Sequence, residues 1–347
     1  MRAILGFPGW RRTGGGMPKV TIEDISRATG LSRGTVSRAL NDRPDISTLT
    51  KQKVLEACRR LQYVPSHAAR SLATGRSYAV AILLRDVQAT SATGFLRGAA
   101  RQALLSRYAV LVIELREPAA QAGLSSDRVD GALVVADLSA SEAQWLRETL
   151  HERTIVSAYP IKALDVDVFR SDQRESGRLV ARQLLRFGSA IAYVHVADDN
   201  PDGEQRREGF LEIIDAAGLP QQDHFFAFSE EEFRDGRVAD VVGPRLADLR
   251  GVGASDDVVA ASLMFAAERR GRVVGRDLAV IGQGNEPFAR RLRPGLSSVD
   301  FCGEEIGQRA MEAFLQRLSE SRQDAPQTVL VAPAFMERES SAGVSRA

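Results

Sequence analysis

The sequence has little of what builds disulfides, metal centres or redox sites. Only 2 of its 347 residues are cysteines and only 4 are histidines. Cys58 and Cys302 lie far apart and match no metal-binding or redox spacing. We therefore expect no disulfide framework, no bound metal or other cofactor, and a cytoplasmic location in a reducing environment.

Long apolar runs and catalytic motifs are also missing. No segment approaches the roughly 18 to 20 apolar residues that a membrane span needs, so we expect no membrane association. The sequence has no Gly-x-Ser-x-Gly elbow, no P-loop and no ligand spacing among its histidines, which argues against an enzyme. Residues 1–16 lack the apolar core and cleavage site of a signal peptide, so we interpret them as a disordered leader or a misassigned start before Met17.

Charge is balanced overall but unevenly distributed. The chain has 46 basic and 45 acidic residues. Residues 1–76 contain 14 basic and 5 acidic side chains, a net charge of +9, whereas residues 77–347 contain 32 and 40, a net charge of −8. A basic end on an acidic body is typical of a protein that binds a polyanion such as nucleic acid at that end.

The basic end has the pattern of three short helices. Thr21, followed by a carboxylate three residues later, is a helix-start signal, and Gly30 provides the permissive backbone of a tight turn. Ser32 is placed to cap a second helix, and a third begins near Ser47. Two helices joined by a short turn, with a third to complete the core, predict a helix-turn-helix domain over residues 17–64.

The exposed side chains of the second helix favour nucleic acid as the partner. Helical hairpins also occur in many domains that never bind DNA, so the fold alone decides nothing. Arg33, Thr35, Ser37 and Arg38 leave the outer face basic and short-chained. Such a face suits contacts with phosphates and base edges better than a face of mixed Glu and Lys would.

Two motifs in this region are highly specific. The first is Gly30-Leu31-Ser32, then Thr35-Val36-Ser37-Arg38 and Asn41; the second is Tyr63-Val64-Pro65, then Ala68-Ala69 and Leu72-Ala73. They closely resemble the DNA-binding head and the hinge helix of the LacI/GalR family of bacterial transcription regulators, the hinge being residues 65–76. Ser26 departs from the alanine usual in the family, and we expect only a minor packing cost.

The resemblance implies a set of DNA contacts. Arg33 and Gly34 occupy the two variable positions that read bases, and Arg38 matches a base-contacting arginine that the family shares. A bidentate contact between arginine and guanine is worth about 1–3 kcal/mol of discrimination; the alternative for Arg33 is a phosphate contact without sequence preference. Leu72 matches the hinge residue that wedges into the minor groove, and the alternative is an ordinary linker contact. The expected DNA-binding residues are Thr21, Ser32, Arg33, Gly34, Thr35, Ser37, Arg38, Asn41, Ala69 and Leu72.

From residue 77 onward, short apolar strands alternate with helical patterns. The predicted strands are 79–84, 110–115, 131–135, 155–158, 191–196, 225–228, 278–282 and 329–331. The predicted helices are 95–106, 140–150, 175–186, 204–217, 232–249, 258–270 and 304–319. This alternation predicts parallel sheets covered by helices on both faces, and their length favours an α/β core of two doubly wound lobes with a ligand site between them.

The body carries further specific motifs. They include Leu96-Arg97-Gly98, Arg206 with Gly209-Phe210, Asp256-Asp257 and Arg338-Glu339-Ser340. These motifs resemble the LacI/GalR core, which is similar to periplasmic sugar-binding proteins and in which the chain crosses three times between the lobes. The resemblance implies a core over residues 77–340 and a tail at 341–347. Its first lobe is expected at about 77–169 and 297–325, and its second at about 170–296 and 326–340.

The effector pocket is where this sequence departs from the family. The usual aromatic pair after the first strand is absent from residues 85–92, and the usual Gly-aromatic-Asp-Asp turn is Gly282-Gln283-Gly284-Asn285. Because Arg206 is kept and Arg85 is added, we expect an anionic effector, a sugar acid or sugar phosphate, with Tyr159 as an apolar face. The alternatives are a salt bridge for Arg206, simple packing for Tyr159 and a helix cap for Asp256. The expected effector-binding residues are Arg85, Asp86, Tyr159, Arg206, Asp256, Gln283 and Asn285.

These patterns predict a sequence-specific DNA-binding regulator, most simply a repressor controlled by a small molecule between the lobes. Two heads on a palindromic operator require a homodimer, because one head buries too little surface for tight binding. The regulator is expected in the bacterial cytoplasm, associated with the nucleoid when bound. Two alternatives remain: a regulator without effector control, or a sugar-binding or sugar-modifying protein on the same core.

Overall fold

The computed structural model describes residues 20–40, 43–63, 71, 74–87, 90–116, 123–151, 153–162, 164–197, 201–319 and 324–344. The chain divides into two compact units, residues 1–76 and 77–347. The predicted leader lies outside the described residues, as does most of the predicted hinge. No helix in the described ranges is long and apolar enough to cross a membrane.

The first unit is a three-helix domain with its ends fixed by side-chain caps. Its helices are α1 (Ile22–Thr29), α2 (Arg33–Leu40) and α3 (Thr48–Arg60). Thr21 and Asp24 form a reciprocal capping box at the start of α1, and Gly30 ends that helix with a φ of 70°. Ser47 caps α3 through the Thr50 amide. The buried core residues are Ile25, Val36, Ala39, Val54, Ala57 and Cys58.

Ser26 contributes a hydrogen bond to the turn. Its hydroxyl donates to the Leu31 carbonyl oxygen at 2.5 Å. This bond ties the last turn of α1 to the residue that precedes the α2 cap. The serine therefore also stabilises the turn, because a hydrogen bond of this kind contributes roughly 0.5–1.5 kcal/mol to the free energy of unfolding. This contribution accompanies the packing cost expected for serine at this position.

The second unit alternates strands with helices throughout. Its strands are β1 (Ala79–Leu84), β2 (Ala109–Glu114), β3 (Gly131–Val135), β4 (Thr154–Ser157), β5 (Asp167–Ser171), β6 (Ile191–Ala197), β7 (Phe225–Ser229), β8 (Gly251–Ala254), β9 (Ala279–Gln283), β10 (Ser297–Asp300), β11 (Thr328–Val331) and β12 (Ala334–Met336). Its helices are α4 (Thr90–Leu105), α5 (Ala140–Leu150), α6 (Gln173–Leu185), α7 (Pro201–Ala216), α8 (Gln221–His224), α9 (Glu230–Arg234), α10 (Arg237–Arg245), α11 (Asp257–Glu268), α12 (Gly303–Leu318) and α13 (Glu339–Ala342).

The strands form two sheets, one in each lobe. The first sheet has the order β11-β5-β4-β3-β1-β2 and the second the order β12-β10-β9-β8-β6-β7. Neighbouring strands are parallel except for the antiparallel β10–β12 pair. Helices on the faces bury apolar strands such as β1, which is inaccessible over most of its length. The predicted architecture of two doubly wound α/β lobes is confirmed.

Glycines allow the same close helix packing in both lobes. A Cβ on Gly98 of α4 would lie 1.9 Å from the Glu304 carbonyl oxygen of α12. A Cβ on Gly177 of α6 would lie 1.9 Å from the Arg206 carbonyl oxygen of α7. Any side chain at either position would force the helices apart. The second contact matters for the site, because it sets the position of α7.

The chain crosses between the lobes later than predicted in two places. We expected the second crossing before residue 297 and the third before residue 326. Strand β10 belongs to the second sheet and β11 to the first, so these crossings fall at residues 301–302 and 332–333. The sequence of β10, Ser-Ser-Val-Asp, resembles a linker, but Ser297 and Ser298 are fully buried and hydrogen-bonded to Ser341 and Asp257.

The predicted helix over residues 232–249 is wrong. The chain forms two shorter helices there, α9 and α10, separated at Gly236, whose φ is 78°. Glycine adopts this left-handed conformation at no steric cost, so it ends one helix and begins the next.

Candidate nucleic-acid interface and effector cleft

Helix α2 presents two arginines to solvent. The side chains of Arg33 and Arg38 are 67% and 54% exposed. Arg33 lies 3.7 Å from a Glu23 carboxylate oxygen, and Arg38 lies 3.3 Å from one of Asp45. Exposed pairs of this kind are worth about 0–1 kcal/mol, so a phosphate or a guanine edge can replace either carboxylate at little cost.

The start of α2 is held in place by its own side chains. The Ser32 hydroxyl accepts from the Thr35 amide at 3.1 Å and lies 2.9 Å from the Thr35 hydroxyl. Gly34 is exposed, and a Cβ there would touch only the Ser32 hydroxyl at 3.8 Å. Crowding within the domain therefore does not explain why this position has a glycine.

The other predicted DNA-binding residues of the first unit differ in how exposed their side chains are. Thr21 is exposed, but its hydroxyl donates to Asp24 as part of the capping box. Ser37 is half-buried on α2. Three further predicted DNA-binding residues, Asn41, Ala69 and Leu72, lie outside the described residues.

The cleft lies where the carboxyl ends of the two sheets approach each other. Tyr159 follows β4 in the first lobe, and its hydroxyl donates to the Asp202 carboxylate in the second lobe at 3.0 Å. Arg170, on β5 of the first lobe, forms an ion pair with the other oxygen of the same carboxylate at 2.5 Å. The Arg170 guanidinium also lies over the Tyr159 ring, 5.6 Å from its centroid. We call these three residues the interlobe clasp.

The clasp is largely shielded from water. The side chains of Arg170 and Asp202 are 13% and 9% exposed. Asp202 also lies in the first turn of α7, where the helix dipole favours a negative charge. A buried pair that joins two lobes resists their separation, because opening the cleft would leave each charge without its partner.

Buried polar atoms without partners lie near the clasp. Among the described residues, Ser171 Oγ, His195 Nδ1 and Arg206 Nε are buried and make no hydrogen bond. Arg206 lies one turn after Asp202 on α7, donates to Gln173 Oε1 at 2.9 Å and stacks on Phe301 at 5.2 Å. Burial, and then the positive charge of Arg206, lower the pKa of His195, so its ring is neutral near pH 7. Unsatisfied buried donors and acceptors of this kind are what a polar ligand would complete.

Arg85 is already neutralised within the first lobe. Its guanidinium donates to both Glu142 carboxylate oxygens, at 2.5 and 3.2 Å, and to the Asp137 carbonyl oxygen. The hydrogen bond from Arg85 holds the pKa of Glu142 at about 2. The Arg85 charge is thus already paired with Glu142 on α5, and the predicted contact between Arg85 and an anionic effector stays a prediction. Asp86 lies within 3.4 Å of Arg116.

Two other predicted effector residues are used inside the second lobe. Asp256 caps α11, accepting from the Val258 and Val259 amides at 2.8 Å, so the helix-cap alternative is the observed one. Gln283 is completely buried. Its amide donates to the Tyr193 hydroxyl and the Ala254 carbonyl oxygen and accepts from the Ser176 hydroxyl. Gln283 thus uses its amide inside the second lobe, and its predicted contact with an effector stays a prediction.

Asn285 has a role at the base of a crossover. Its side chain donates to Asp300 at 2.8 Å and accepts from Arg338 at 2.5 Å. Asp300 directly precedes the second crossing, whereas Arg338 follows β12 within the second lobe. Asn285 therefore links the start of this crossover to the second lobe, and its predicted contact with an effector stays a prediction.

Sequence reasoning missed several residues of the cleft. Asp202, Gln173, His195 and Phe301 were not predicted as site residues, although Arg206 was. The i, i+4 spacing of Asp202 and Arg206 on one helix was the available signal. Among the described residues, no group of three or more His, Cys, Asp and Glu side chains is placed to bind a metal ion.

Two family models match the chain. Residues 21–66 match bacterial regulatory proteins of the lacI family, and residues 181–341 match a periplasmic binding protein-like domain. The HTH-type transcriptional repressor PurR of Edwardsiella ictaluri is 26% identical over 330 residues, which cover 92% of this chain and 96% of that protein. PurR of Yersinia pestis is 26% identical over 335 residues, with the same coverage.

Solved structures share the fold over nearly the whole chain. The lac repressor dimer bound to operator and the anti-inducer ONPF has a TM-score of 0.70 at 18% identity, covering 94% of this chain and 100% of that one. A complex of the transcriptional regulator CelR with cellobiose has a TM-score of 0.64 at 21% identity, covering 92% and 99%. The relatives are transcriptional regulators rather than enzymes. The chain therefore has a lacI-family DNA-binding domain followed by a periplasmic binding protein-like domain, and its relatives are PurR and LacI-type transcriptional regulators.

Proposed function

We propose that this protein is a sequence-specific repressor that binds a palindromic operator as a homodimer in the bacterial cytoplasm. A small molecule bound between the lobes changes its operator affinity. The observation that carries the proposal is the pairing of an exposed arginine-bearing helix in one unit with unsatisfied buried polar atoms in the cleft of the other.

In the DNA-binding half of the mechanism, α2 lies in the major groove. Arg33 and Arg38 exchange their weak carboxylate partners for guanine edges or phosphates, while Gly34 leaves room for close approach of the backbone. Leu72 of the predicted hinge wedges into the minor groove, as the resemblance to the LacI/GalR family implies.

The DNA-binding half is tested by selecting binding sites from a random duplex library. The wild-type protein should select a palindrome whose half-sites mirror a dimer. Arg33→Ala should change the base preferred at one position in each half-site. If Arg33→Ala weakens binding to all sequences equally, Arg33 contacts only phosphate.

The dimer is supported by apolar side chains that remain exposed in one copy of the body. They include Leu104, Leu105, Leu111 and Val112 in the first lobe and Val258 and Phe265 in the second. Side chains of this size are typical of the core of a protein interface. Sedimentation should give a dimer for the wild type, and Leu104→Glu with Phe265→Glu should shift it toward the monomer; a monomeric wild type would contradict the proposed dimer.

The effector is proposed to be a carbohydrate: a sugar, sugar acid or sugar phosphate. It would bind to Arg206, His195 and Ser171, with Phe301 or Tyr159 as an apolar face. Since Arg85 is paired with Glu142, the case for an anionic effector now rests on Arg206 alone. CelR in complex with cellobiose and the lac repressor bound to the anti-inducer ONPF have the same fold, which supports a small-molecule ligand for this protein.

A thermal-shift panel of neutral sugars, sugar acids and sugar phosphates tests the effector half. A ligand at about 100 times its Kd should stabilise the protein by about 2.7 kcal/mol. The same ligand should change operator affinity, and His195→Gln should reduce both responses while leaving effector-free operator binding intact. If no compound shifts the melting temperature while operator binding persists, the protein is a regulator without effector control. Sugar binding without operator binding would instead favour a transport or enzymatic role.

A further inference from the structure

A pocket lies at the end of the first lobe opposite the cleft. It has a volume of about 820 Å³ and is lined by Ser126, Arg147, Glu148, Leu150, His151 and Arg153. Arg147 and His151 are one turn apart at the carboxyl end of α5, and Arg153 directly precedes β4. The pocket is therefore at the amino ends of the parallel strands, whereas the cleft is at their carboxyl ends.

The pocket contains two arginines that form no ion pair among the described residues, together with the His151 ring. Arg147 and His151 are exposed, and neither makes a side-chain hydrogen bond or ion pair among the described residues. Arg153 forms no ion pair there; its guanidinium donates to the Ser126 carbonyl oxygen at 3.0 Å, which leaves its other N–H groups available. Glu148 contributes one carboxylate, which accepts from Gln144 at 2.8 Å.

Arg147 and Arg153 differ from most arginines around the cleft and on α6 and α7. Residues 77–347 have a net charge of −8, and most arginines around the cleft and on α6 and α7 have carboxylate partners. Complementing the α5 dipole accounts for cations at a helix end. It does not account for two arginines and a histidine ring around one concavity, which is an arrangement of donors that suits a phosphate.

The chain enters the body beside this pocket. The Ser77 and Tyr78 amides donate to the two Asp130 carboxylate oxygens, at 2.8 and 2.9 Å. Asp130 directly precedes β3, which pairs with β4, the strand that Arg153 precedes. The chain thus enters the body at the amino ends of the strands of the first sheet, about two strand spacings, roughly 10 Å, from the strand that Arg153 precedes.

We propose that this pocket binds the phosphodiester backbone of duplex DNA that flanks the operator. Arg147 and Arg153 donate to a phosphate group, His151 adds a ring N–H, and Glu148 opposes the contact. The site adds affinity without reading sequence, since it contacts phosphate alone. It rests on the proposed operator binding, and it predicts a dependence on duplex length that the heads alone do not produce.

The experiment compares two duplexes with the full chain. One contains only the operator, about 20 bp, and the other adds about two helical turns of flanking DNA on each side. One phosphate contact per pocket makes the salt dependence of binding to the extended duplex steeper by a slope of about 2 per dimer. Between 50 and 200 mM salt the wild type should therefore lose about tenfold more affinity on the extended duplex than on the short one.

Variants separate this pocket from the heads and from net charge. Arg147→Ala with Arg153→Ala should remove the length dependence and leave binding to the short duplex unchanged. Arg269→Ala with Arg276→Ala is the matched control, because it removes the same charge from exposed positions that precede β9, at the amino ends of the second sheet. Arg147→Ala alone, which removes no internal contact, should give a partial loss, and Glu148→Gln should increase binding to the extended duplex.

Three results would overturn the proposal. The first is an equal long-to-short affinity ratio in the wild type and the double variant. The second is an equal loss in the control, which would show a net-charge effect. The third is a His151 NMR shift with inorganic phosphate without any length dependence, which would assign the pocket to a free phosphorylated compound. Failure to bind even the short duplex would instead refute the proposed function itself.

Discussion

Replacing Asp202 by alanine should open the cleft, because both contacts of the interlobe clasp between the lobes are made to the Asp202 carboxylate. The change removes the carboxylate that Arg170 pairs with at 2.5 Å and that the Tyr159 hydroxyl bonds at 3.0 Å. Arg170, with a side chain 13% exposed, would be left without a counter-charge unless the lobes separate and admit water.

The expected cost follows from that burial. Removing one member of a buried ion pair costs about 3–5 kcal/mol, most of it from the unpaired charge that remains. Replacing both charges, with Asp202→Ala and Arg170→Met, should cost only about 1–2 kcal/mol, for the lost Tyr159 bond and the lost helix-dipole contact. The two changes are therefore expected to be strongly non-additive.

Urea unfolding of the single and double variants measures the free energies, and small-angle scattering measures opening of the cleft. Asp215→Ala is the control: Asp215 is exposed on the same helix and its carboxylate accepts from the Gln221 side chain. Its loss should cost no more than about 1 kcal/mol and should leave the cleft closed. Additive costs in the double variant, or an unchanged radius of gyration in Asp202→Ala, would refute the clasp as the contact that keeps the lobes together.

Three further predictions concern single groups. Ser26→Ala should lower the stability of the three-helix unit by roughly 0.5–1.5 kcal/mol, measured by thermal unfolding, because the bond to Leu31 is lost; an unchanged melting temperature would contradict it. Burial raises the pKa of Asp257 from its usual 3.8 to about 7, so the stability from its protonated form is present below about pH 4 and lost as the pH rises toward 7. Asp257→Asn should make the free energy of unfolding, measured with urea, depend less on pH between about 4 and 7. An equal pH dependence in both proteins would show that Asp257 does not cause it. Arg85→Ala should lower the free energy of unfolding of the body near pH 7. Because Arg85 holds the pKa of Glu142 at about 2, this loss should disappear as the pH falls from about 4.5 toward 2. A loss that does not depend on pH would show that Arg85 acts by packing.

Elements defined by local signals were predictable from the sequence. The capping residues Thr21 and Ser47 and the left-handed Gly30 fix the ends of the first unit's helices through contacts a few residues away. Strands β1 and β3 matched their predicted bounds, because each is a continuous apolar run between clear breaks.

Strands without that signal were missed. Strand β8 contains Gly251 and Gly253, whose lack of a side chain makes room for Leu184 and Val180 of α6. Glycine is depleted in strands, so this pattern predicts a loop. Polar β10 was missed for a related reason: its buried serines are satisfied by residues far away in the sequence.

The site was less predictable than the fold for the same reason. Glu142 lies 57 residues after Arg85, and nothing local indicates that it takes the charge of this arginine. Asp202 lies 32 residues from Arg170 and 43 from Tyr159, so the clasp exists only once both lobes are folded. Residue type identified the candidates, and tertiary contacts decided which of them remain available to a ligand.

The central claim is that α2 reads base edges. The most direct test is the ratio of affinities for the selected operator and for a scrambled duplex, measured by fluorescence anisotropy at one salt concentration for the wild type and Arg38→Ala. We predict that Arg38→Ala lowers operator affinity by about 1–3 kcal/mol per base contact and scrambled-duplex affinity much less, so that the ratio falls. An equal loss on both duplexes, with the ratio unchanged, would contradict base reading by this helix.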